Sequence, residues 1–213
     1  MKIEEISINS KEYPQNLKNI YDPPKKIYLI GNKDLLYQKG IAIVGARDAT
    51  QYGKKIAYNL AKELSEQNIV IISGLAIGID SYAHKGALEK GTIAVLGSGI
   101  DNIYPKQNLE LAREIIKNKG CIISEYPLGT KPERLHFPQR NRIISGLSDG
   151  VVVIEASKKS GALITAEFAL EQGKEVFAVP GDINKKQSEG TNQLIKDGAI
   201  LLTSATDILE NIY

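Results

Sequence analysis

The segment Ile41-Ala42-Ile43-Val44-Gly45 is an unbroken apolar run that ends in a glycine, and it indicates the fold class. A strand that is apolar at every residue is buried on both faces, which is typical of a parallel sheet covered by helices. After this run, Ile56, Leu60 and Leu64 recur at helical spacing, and a second apolar run follows at residues 69–72. The stretch therefore begins an alternation of strands and amphipathic helices.

The alternation continues nearly to the end of the chain. It predicts an α/β fold: an extended Rossmann-like, doubly wound, mostly parallel sheet with helices on both faces. The further apolar runs that we interpret as strands are residues 92–96, 121–123, 151–154, 176–179 and 200–202.

The first 40 residues follow a different pattern. Tyr13-Pro14 and Asp22-Pro23-Pro24 interrupt them, and only residues 27–30 indicate a short strand. We interpret residues 1–40 as an N-terminal extension that packs on a main Rossmann-like domain of residues 41–213.

The composition is that of an ordinary soluble protein. The 213 residues are 42% hydrophobic and 24% charged, and a net charge of +2 limits any nucleic-acid surface to a local patch. No segment has the length of a membrane span or the apolar core of a signal peptide, so a cytoplasmic protein without membrane association is predicted. The single Cys121 and the separated His84 and His136 give no disulfide and no metal site within one chain.

Glycines follow most of the predicted strands. In doubly wound sheets, ligands bind beyond the carboxyl ends of the strands, and glycine there permits tight turns and close approach to a ligand. One such glycine is weak support, but several at one edge favour a phosphate-lined groove. The glycines concerned include Gly45, Gly74, Gly97 and Gly161.

The segment around residue 140 indicates what the groove binds. Pro138 suits the first turn of a helix, which would place Arg140 and Arg142 in that turn. Cations are unfavourable at the positive end of the helix dipole unless an anion binds there. With Phe137 beside them, the arginines fit a phosphate-bearing ligand with bases, such as a nucleotide or a single strand. The alternative is solvated or salt-bridged arginines and a core phenylalanine.

Motifs of several enzyme classes are missing. The sequence lacks the Gly-x-x-x-x-Gly-Lys-Ser/Thr loop and Gly-x-Ser-x-Gly, and Asp48 and Thr50 stand where a dinucleotide fingerprint needs glycines. No paired carboxylates indicate an acid and a base. We therefore predict a binding protein, not an enzyme, with no catalytic residues and no cofactor. Arg47, directly after Gly45, is interpreted as an anion contact, and Lys158 and Lys159 as solvated loop residues.

The chain resembles the DNA-processing protein A family (DprA/Smf) from about Tyr13 onward. The matching segments keep the family's order. They include residues 43–47 (IVGAR), 73–80 (SGLAIGID), 94–99 (AVLGSG) with 104–105 (YP), 124–127 (SEYP), 137–148 (FPQRNRIISGLS), 160–166 (SGALITA), 176–181 (VFAVPG) and 190–195 (GTNQLI).

The resemblance implies a single-stranded DNA-binding protein of natural transformation, or competence. Such a protein forms a homodimer, protects incoming strands, and helps load the recombinase RecA for DNA recombination. The family's DNA pocket matches Arg47, Lys106, Phe137, Arg140, Asn141 and Arg142. We expect Gly45, Gly74, Gly97, Ser160, Gly161 and Thr165 to complete it.

The sequence departs from the family pattern at two positions. Ala46 stands where the family usually has serine, and Ile77 where it often has arginine. The first change removes a hydroxyl and the second a positive charge, so weaker binding is expected. The flanking modules of many members, a helical domain before and a winged helix after, have no counterpart here, and no C-terminal winged helix is expected.

Two other functions remain alternatives. The segment from Ser160 to Glu167 resembles the Pro-Gly-Gly-x-Gly-Thr-x-x-Glu loop of Rossmann-like nucleotide phosphoribohydrolases, although most of its glycines are absent. Glu167 is more simply interpreted as a solvent-facing helix residue. A nucleotide-binding sensor without turnover would use the same groove.

Overall fold

The computed structural model describes residues 2–212, which form one sheet with helices on both faces. The strands in this range are β1 (Glu4–Ser7), β2 (Lys26–Gly31), β3 (Gly40–Gly45), β4 (Val70–Ser73), β5 (Thr92–Leu96), β6 (Cys121–Ser124), β7 (Gly150–Ile154), β8 (Glu175–Ala178) and β9 (Ile200–Leu201). The helices are α1 (Gln15–Lys18), α2 (Gln51–Glu66), α3 (Ile79–Gly86), α4 (Leu109–Lys117), α5 (His136–Leu147), α6 (Gly161–Glu171), α7 (Glu189–Lys196) and α8 (Ala205–Ile212).

The strand order explains where a groove forms. It is β1-β2-β6-β5-β4-β3-β7-β8-β9, and the strands from β6 to β9 run parallel in this order. Strands β4, β5 and β6 follow one another on one side of β3. Strand β7 lies on the other side of β3, and β8 and β9 follow beyond it. The loops after β3 and β7 therefore diverge, and doubly wound sheets bind ligands at such a switch point.

The two faces of β3 explain its continuous apolar run. Ile41 and Ile43 belong to a core that includes Leu60 and Leu64 of α2. Ala42 and Val44 belong to the opposite core, with Ile143 and Ile144 of α5 and Ala166 of α6. Each of these side chains is at most 6% exposed, so the predicted parallel sheet with two covered faces is confirmed.

The N-terminal segment adds two strands to the same sheet. β1 pairs antiparallel with β2, and β2 pairs antiparallel with β6, with Tyr28 opposite Ser124. Helix α1 buries Leu17 in the core that it shares with α5. The strand predicted at residues 27–30 is present, and β1 was not predicted. A domain boundary at residue 40 stays a prediction.

Helix α5 begins earlier than the sequence predicted. Its first residue is His136, so Arg140 and Arg142 lie in its second turn, and their predicted place in the first turn was wrong. Proline is tolerated at each position of the first turn, because the backbone N–H that it lacks has no partner there. Pro138 therefore fixes the start of the helix only to within one turn.

Candidate nucleic-acid interface

A groove of about 670 Å³ lies beyond the carboxyl ends of β3 and β7. It is bounded by the loops after these strands and by α5 and α6, which places it at the switch point of the sheet. This volume is in the range of sites that bind small molecules and nucleotides. The lining residues most important for its chemistry are Arg47, Asp80, Phe137, Arg140, Asn141 and Thr165.

Arg140 forms part of the groove floor. It is 5% exposed, and its Nη1 donates to the carbonyl oxygen of Gly74 at 2.8 Å and to that of Val95. Its Nε donates to Oδ1 of Asn141 at 3.3 Å. Burial lowers the pKa of Arg140 to about 10, and the carboxylate of Asp80 opposes that shift. The guanidinium is therefore a fixed cation at neutral pH.

Asp80 supplies the opposing charge on the floor. Its Oδ2 accepts from the backbone N–H of Gly74 at 3.0 Å and from that of Ala76 at 3.4 Å. Burial raises the pKa of this carboxyl group, whereas Arg140, the two amides and the Ser73 hydroxyl act in the opposite direction. A Cβ at Gly74 would lie 2.6 Å from Nη2 of Arg140 and 2.8 Å from Oδ2 of Asp80. Glycine is therefore required beneath this charge pair.

The rim of the groove carries a cation and aromatic rings. Arg47 is exposed, and its guanidinium carbon lies 5.7 Å from the centroid of the Phe137 ring. The ring of Tyr104 lies 5.5 Å from that of Phe137 at an interplanar angle of 43°. Tyr104 is 44% exposed and Phe137 is half-buried. Accessible ring faces beside an arginine offer stacking surfaces for bases and a charge for a phosphate.

The start of α6 forms another wall. The Ser160 hydroxyl accepts from the N–H of Ala162 at 3.3 Å, and Nδ2 of Asn141 donates to the Gly161 carbonyl oxygen at 3.1 Å. Thr165, one turn further, is 1% exposed and lines the groove. Its hydroxyl makes no hydrogen bond to any residue from 2 to 212. A buried polar group that faces a groove in this way is available to a ligand.

The first turn of α2 is closed to an external anion. Glu155, at the end of β7 with a φ of +55°, accepts through Oε2 from the Thr50 N–H at 2.8 Å and through Oε1 from the Thr50 hydroxyl. In dinucleotide-binding folds the helix after the first core strand receives the pyrophosphate at this place. In this protein the carboxylate of Glu155 occupies the position that the pyrophosphate takes in those folds.

The structure brings most of the predicted site residues together. Two glycines lie directly beneath the groove: Gly74 under the charge pair, and Gly97, where a Cβ would lie 3.0 Å from the Phe137 ring. Lys106 is exposed in a short turn after Tyr104-Pro105 and is outside the groove lining. The predicted residues that line the groove are Gly45, Arg47, Phe137, Arg140, Asn141, Ser160, Gly161 and Thr165.

Arg142 lies elsewhere. Its two terminal nitrogens donate to the carboxylate of Glu125 at 2.8 and 2.7 Å, and its Nε donates to the Asp22 carbonyl oxygen at 2.8 Å. Its side chain is 11% exposed, and it is outside the groove lining. Its role in DNA binding stays a prediction, and its charge is already balanced by Glu125.

Sequence reasoning missed several groove residues. Asp80 lies 60 positions before Arg140, and only the adjacency of β4 and β5 in the sheet brings them together. Arg134 and Lys186 line the groove from loops whose course the strand pattern does not specify. Glu167, in contrast, is exposed on α6 and outside the groove lining, as the simpler interpretation had it.

The fold and the groove together define a class: a Rossmann-like α/β protein with a cationic and aromatic groove at the switch point of its sheet. A sequence model of the family described as DNA recombination-mediator protein A matches residues 4–213. The chain belongs to that family, as its sequence motifs predicted. No helix within residues 2–212 is long and apolar enough to cross a membrane.

Relatives and solved structures agree with this assignment. The DNA processing protein DprA of Bacillus subtilis is 48% identical over 213 residues, which cover 99% of this chain and 71% of the relative. The crystal structure of DprA from Streptococcus pneumoniae matches with a TM-score of 0.94 and 45% identity, over 100% of this chain and 75% of the other. A structure of the Helicobacter pylori protein, described for its single-stranded DNA binding mode, has a TM-score of 0.89 and 33% identity, over 100% and 98% of the two chains.

Proposed function

We propose that this chain binds single-stranded DNA in the groove between the loops after β3 and β7. The observation that carries the proposal is the placement of the exposed Arg47 guanidinium beside the half-buried Phe137 ring at the groove rim. A single strand has unpaired bases that can stack on such a ring, whereas the bases of a duplex are already stacked on one another. The Helicobacter pylori relative, described for binding single-stranded DNA, supports the same assignment.

Binding uses two kinds of contact. Arg47, Arg134 and Lys186 at the rim neutralise phosphates, and these contacts do not depend on sequence. Phe137 and Tyr104 provide ring faces, on which one base contributes about 1–3 kcal/mol. Arg140 and Asn141 hold the walls in place through hydrogen bonds between α5, the end of β5 and the start of α6.

The wider role is part of the same proposal. A protein that covers a single strand shields the covered nucleotides from nucleases, and delivery of that strand to a recombinase is a further step that we include in the proposal. We propose that this chain acts as a homodimer in the cytoplasm and helps load RecA onto strands taken up in natural transformation. The family's description as a recombination mediator supports this role.

The experiment is fluorescence anisotropy with a labelled oligo-dT strand and the same label on a duplex, at two salt concentrations. We expect tighter binding of the single strand, and weaker binding at the higher salt concentration. An equal or greater affinity for the duplex, or no binding at low salt, would overturn the proposal.

The alternatives predict different results. A phosphoribohydrolase would release base from a nucleoside monophosphate, but Glu167, which would correspond to the glutamate of its loop, is exposed and outside the groove. A nucleotide sensor would bind a mononucleotide saturably, in competition with the strand. We expect neither base release nor competition by micromolar mononucleotide.

A further inference from the structure

The floor and the rim of the groove carry different charge. On the floor, Asp80 and Arg140 are 6% and 5% exposed and balance each other. On the rim, Arg47, Arg134 and Lys186 are exposed cations and Asp48 is an exposed anion, so the rim keeps an excess of positive charge. A phosphate on the floor would meet the Asp80 carboxylate, and like charges repel strongly where water is excluded. A strand in this groove therefore binds with its phosphates along the rim and a base toward the floor.

The floor has polar groups that the protein leaves open. Arg140 uses Nη1 and Nε on protein oxygens, and Nη2 makes no hydrogen bond to any of residues 2–212. A carboxylate has about four acceptor positions. On Asp80, the amides of Gly74 and Ala76 both donate to Oδ2, and the Ser73 hydroxyl lies against the same carboxyl group, which leaves an acceptor position for a ligand. Near the start of α6, the Thr165 hydroxyl is also unpaired. The floor thus presents a hydrogen-bond donor, Nη2 of Arg140, next to an acceptor, the Asp80 carboxylate. The Thr165 hydroxyl in the same groove can donate or accept.

Among the four bases, guanine fits a donor beside a carboxylate best. Its Watson–Crick edge has the O6 acceptor followed by two adjacent donors, N1–H and the 2-amino group. Adenine and cytosine place a ring nitrogen acceptor next to their amino group, and thymine has one N–H between two carbonyl oxygens. A carboxylate repels each of those acceptors, and such repulsion discriminates as effectively as attraction.

We propose that the groove floor reads one base of a bound strand and prefers guanine. Asp80 accepts from N1–H and the 2-amino group, while Nη2 of Arg140 donates to O6. Phe137 at the rim stacks on a neighbouring base. The inference rests on the proposed function, because the base reaches the floor only as part of a bound strand.

The first test uses the unaltered protein and changes only the DNA. Four oligo-dT strands of equal length carry dT, dG, deoxyinosine or an abasic site at one central position. We expect the dG strand to bind roughly fivefold more tightly than all-dT, near the low end of what a good bidentate contact provides. Inosine lacks the 2-amino group, so its strand should lose a large part of this gain.

The second test alters the protein. Asp80→Asn replaces the carboxylate with an amide that presents its own donors, and we expect the ratio of dG to dT affinity to fall to about one. Asp182→Asn is the matched control, because Asp182 is exposed in the loop after β8 and outside the groove lining. It should keep the ratio of the unaltered protein. Circular dichroism checks that both variants are folded.

The outcomes separate the inference from the function on which it rests. If all-dT fails to bind at low salt, the proposed function is wrong. If all-dT binds and the dG strand binds no more tightly, the base-reading floor is wrong, while the proposed function stands. A preference for dG that persists in Asp80→Asn would also overturn the assigned contacts.

Discussion

The guanidinium of Arg142 forms a bidentate ion pair with Glu125, with N–O distances of 2.8 and 2.7 Å. The same side chain donates to the carbonyl oxygen of Asp22, so it joins α5 to the loop after β6 and to the N-terminal segment. Both members of the pair are mostly buried, with 11% and 16% of their side chains exposed. The pair therefore stabilises the fold next to the groove.

Replacing Arg142 tests this structural role. Arg142→Met leaves the Glu125 carboxylate without its partner, and we expect the free energy of unfolding to fall by about 2 kcal/mol. Urea denaturation at pH 7 measures it. Arg113→Met is the control, because its pair with Glu110 is 68% and 73% exposed and should contribute at most about 1 kcal/mol. Equal small losses in both variants would contradict the structural role.

His84 makes the fold sensitive to acid. It is fully buried, and its Nδ1 lies 2.9 Å from the Thr92 hydroxyl, which itself donates to the Ile71 carbonyl oxygen. Nδ1 must then carry the proton, and Nε2 has no partner among residues 2–212. Burial, with a smaller contribution from Arg140, lowers the pKa of His84 to about 3.

The direction of the pH effect follows from that shift. Between pH 6.5 and pH 3 the unfolded chain binds a proton at His84 that the folded chain does not, so this contribution to stability is complete above pH 6.5 and is lost as the pH falls. From pH 7 to pH 5.5 we expect a loss of about 1 kcal/mol from this group. Urea denaturation of the unaltered protein and of His84→Gln at both pH values measures it. An equal pH dependence in the two proteins would refute the prediction.

The Phe137 ring is expected to bind a base by stacking. Phe137→Ala should weaken oligo-dT binding by about 1–3 kcal/mol without changing its salt dependence, because no phosphate contact is lost. Phe137→Tyr keeps an aromatic face and should retain most of the affinity. Anisotropy titrations of both variants provide the comparison, and an Ala variant that binds as tightly as the unaltered protein would remove Phe137 from the site.

The fold was predictable because burial on both faces leaves a continuous apolar signal, as in residues 41–44 and 151–154. β1 escaped prediction because it is a short edge strand with the sequence Glu-Glu-Ile-Ser, and edge strands often carry charge. Its place in the sheet depends on its pairing with β2, and no local sequence pattern indicates that pairing.

The groove was predictable in position but only partly in composition. Glycines at strand ends located it, and Arg47 and Phe137 line it as expected. Arg140 and Arg142 could not both face it, because residues two apart on a helix point about 200° apart. The packing of α5 determines which of the two arginines points toward the sheet. The sequence pattern did not indicate this, because it placed the start of the helix too late.

In the proposed function, Arg47 contacts a phosphate of a bound single strand. The slope of log affinity against log salt concentration for oligo-dT measures this contact, with the unaltered protein, Arg47→Ala and Arg113→Ala. Arg113 is an exposed cation on α4, outside the groove lining, and its removal should leave the slope unchanged. Removing Arg47 should weaken binding and reduce the magnitude of the slope by about 0.7, the value for one phosphate contact on a single strand. A slope that is the same in all three proteins would contradict the account.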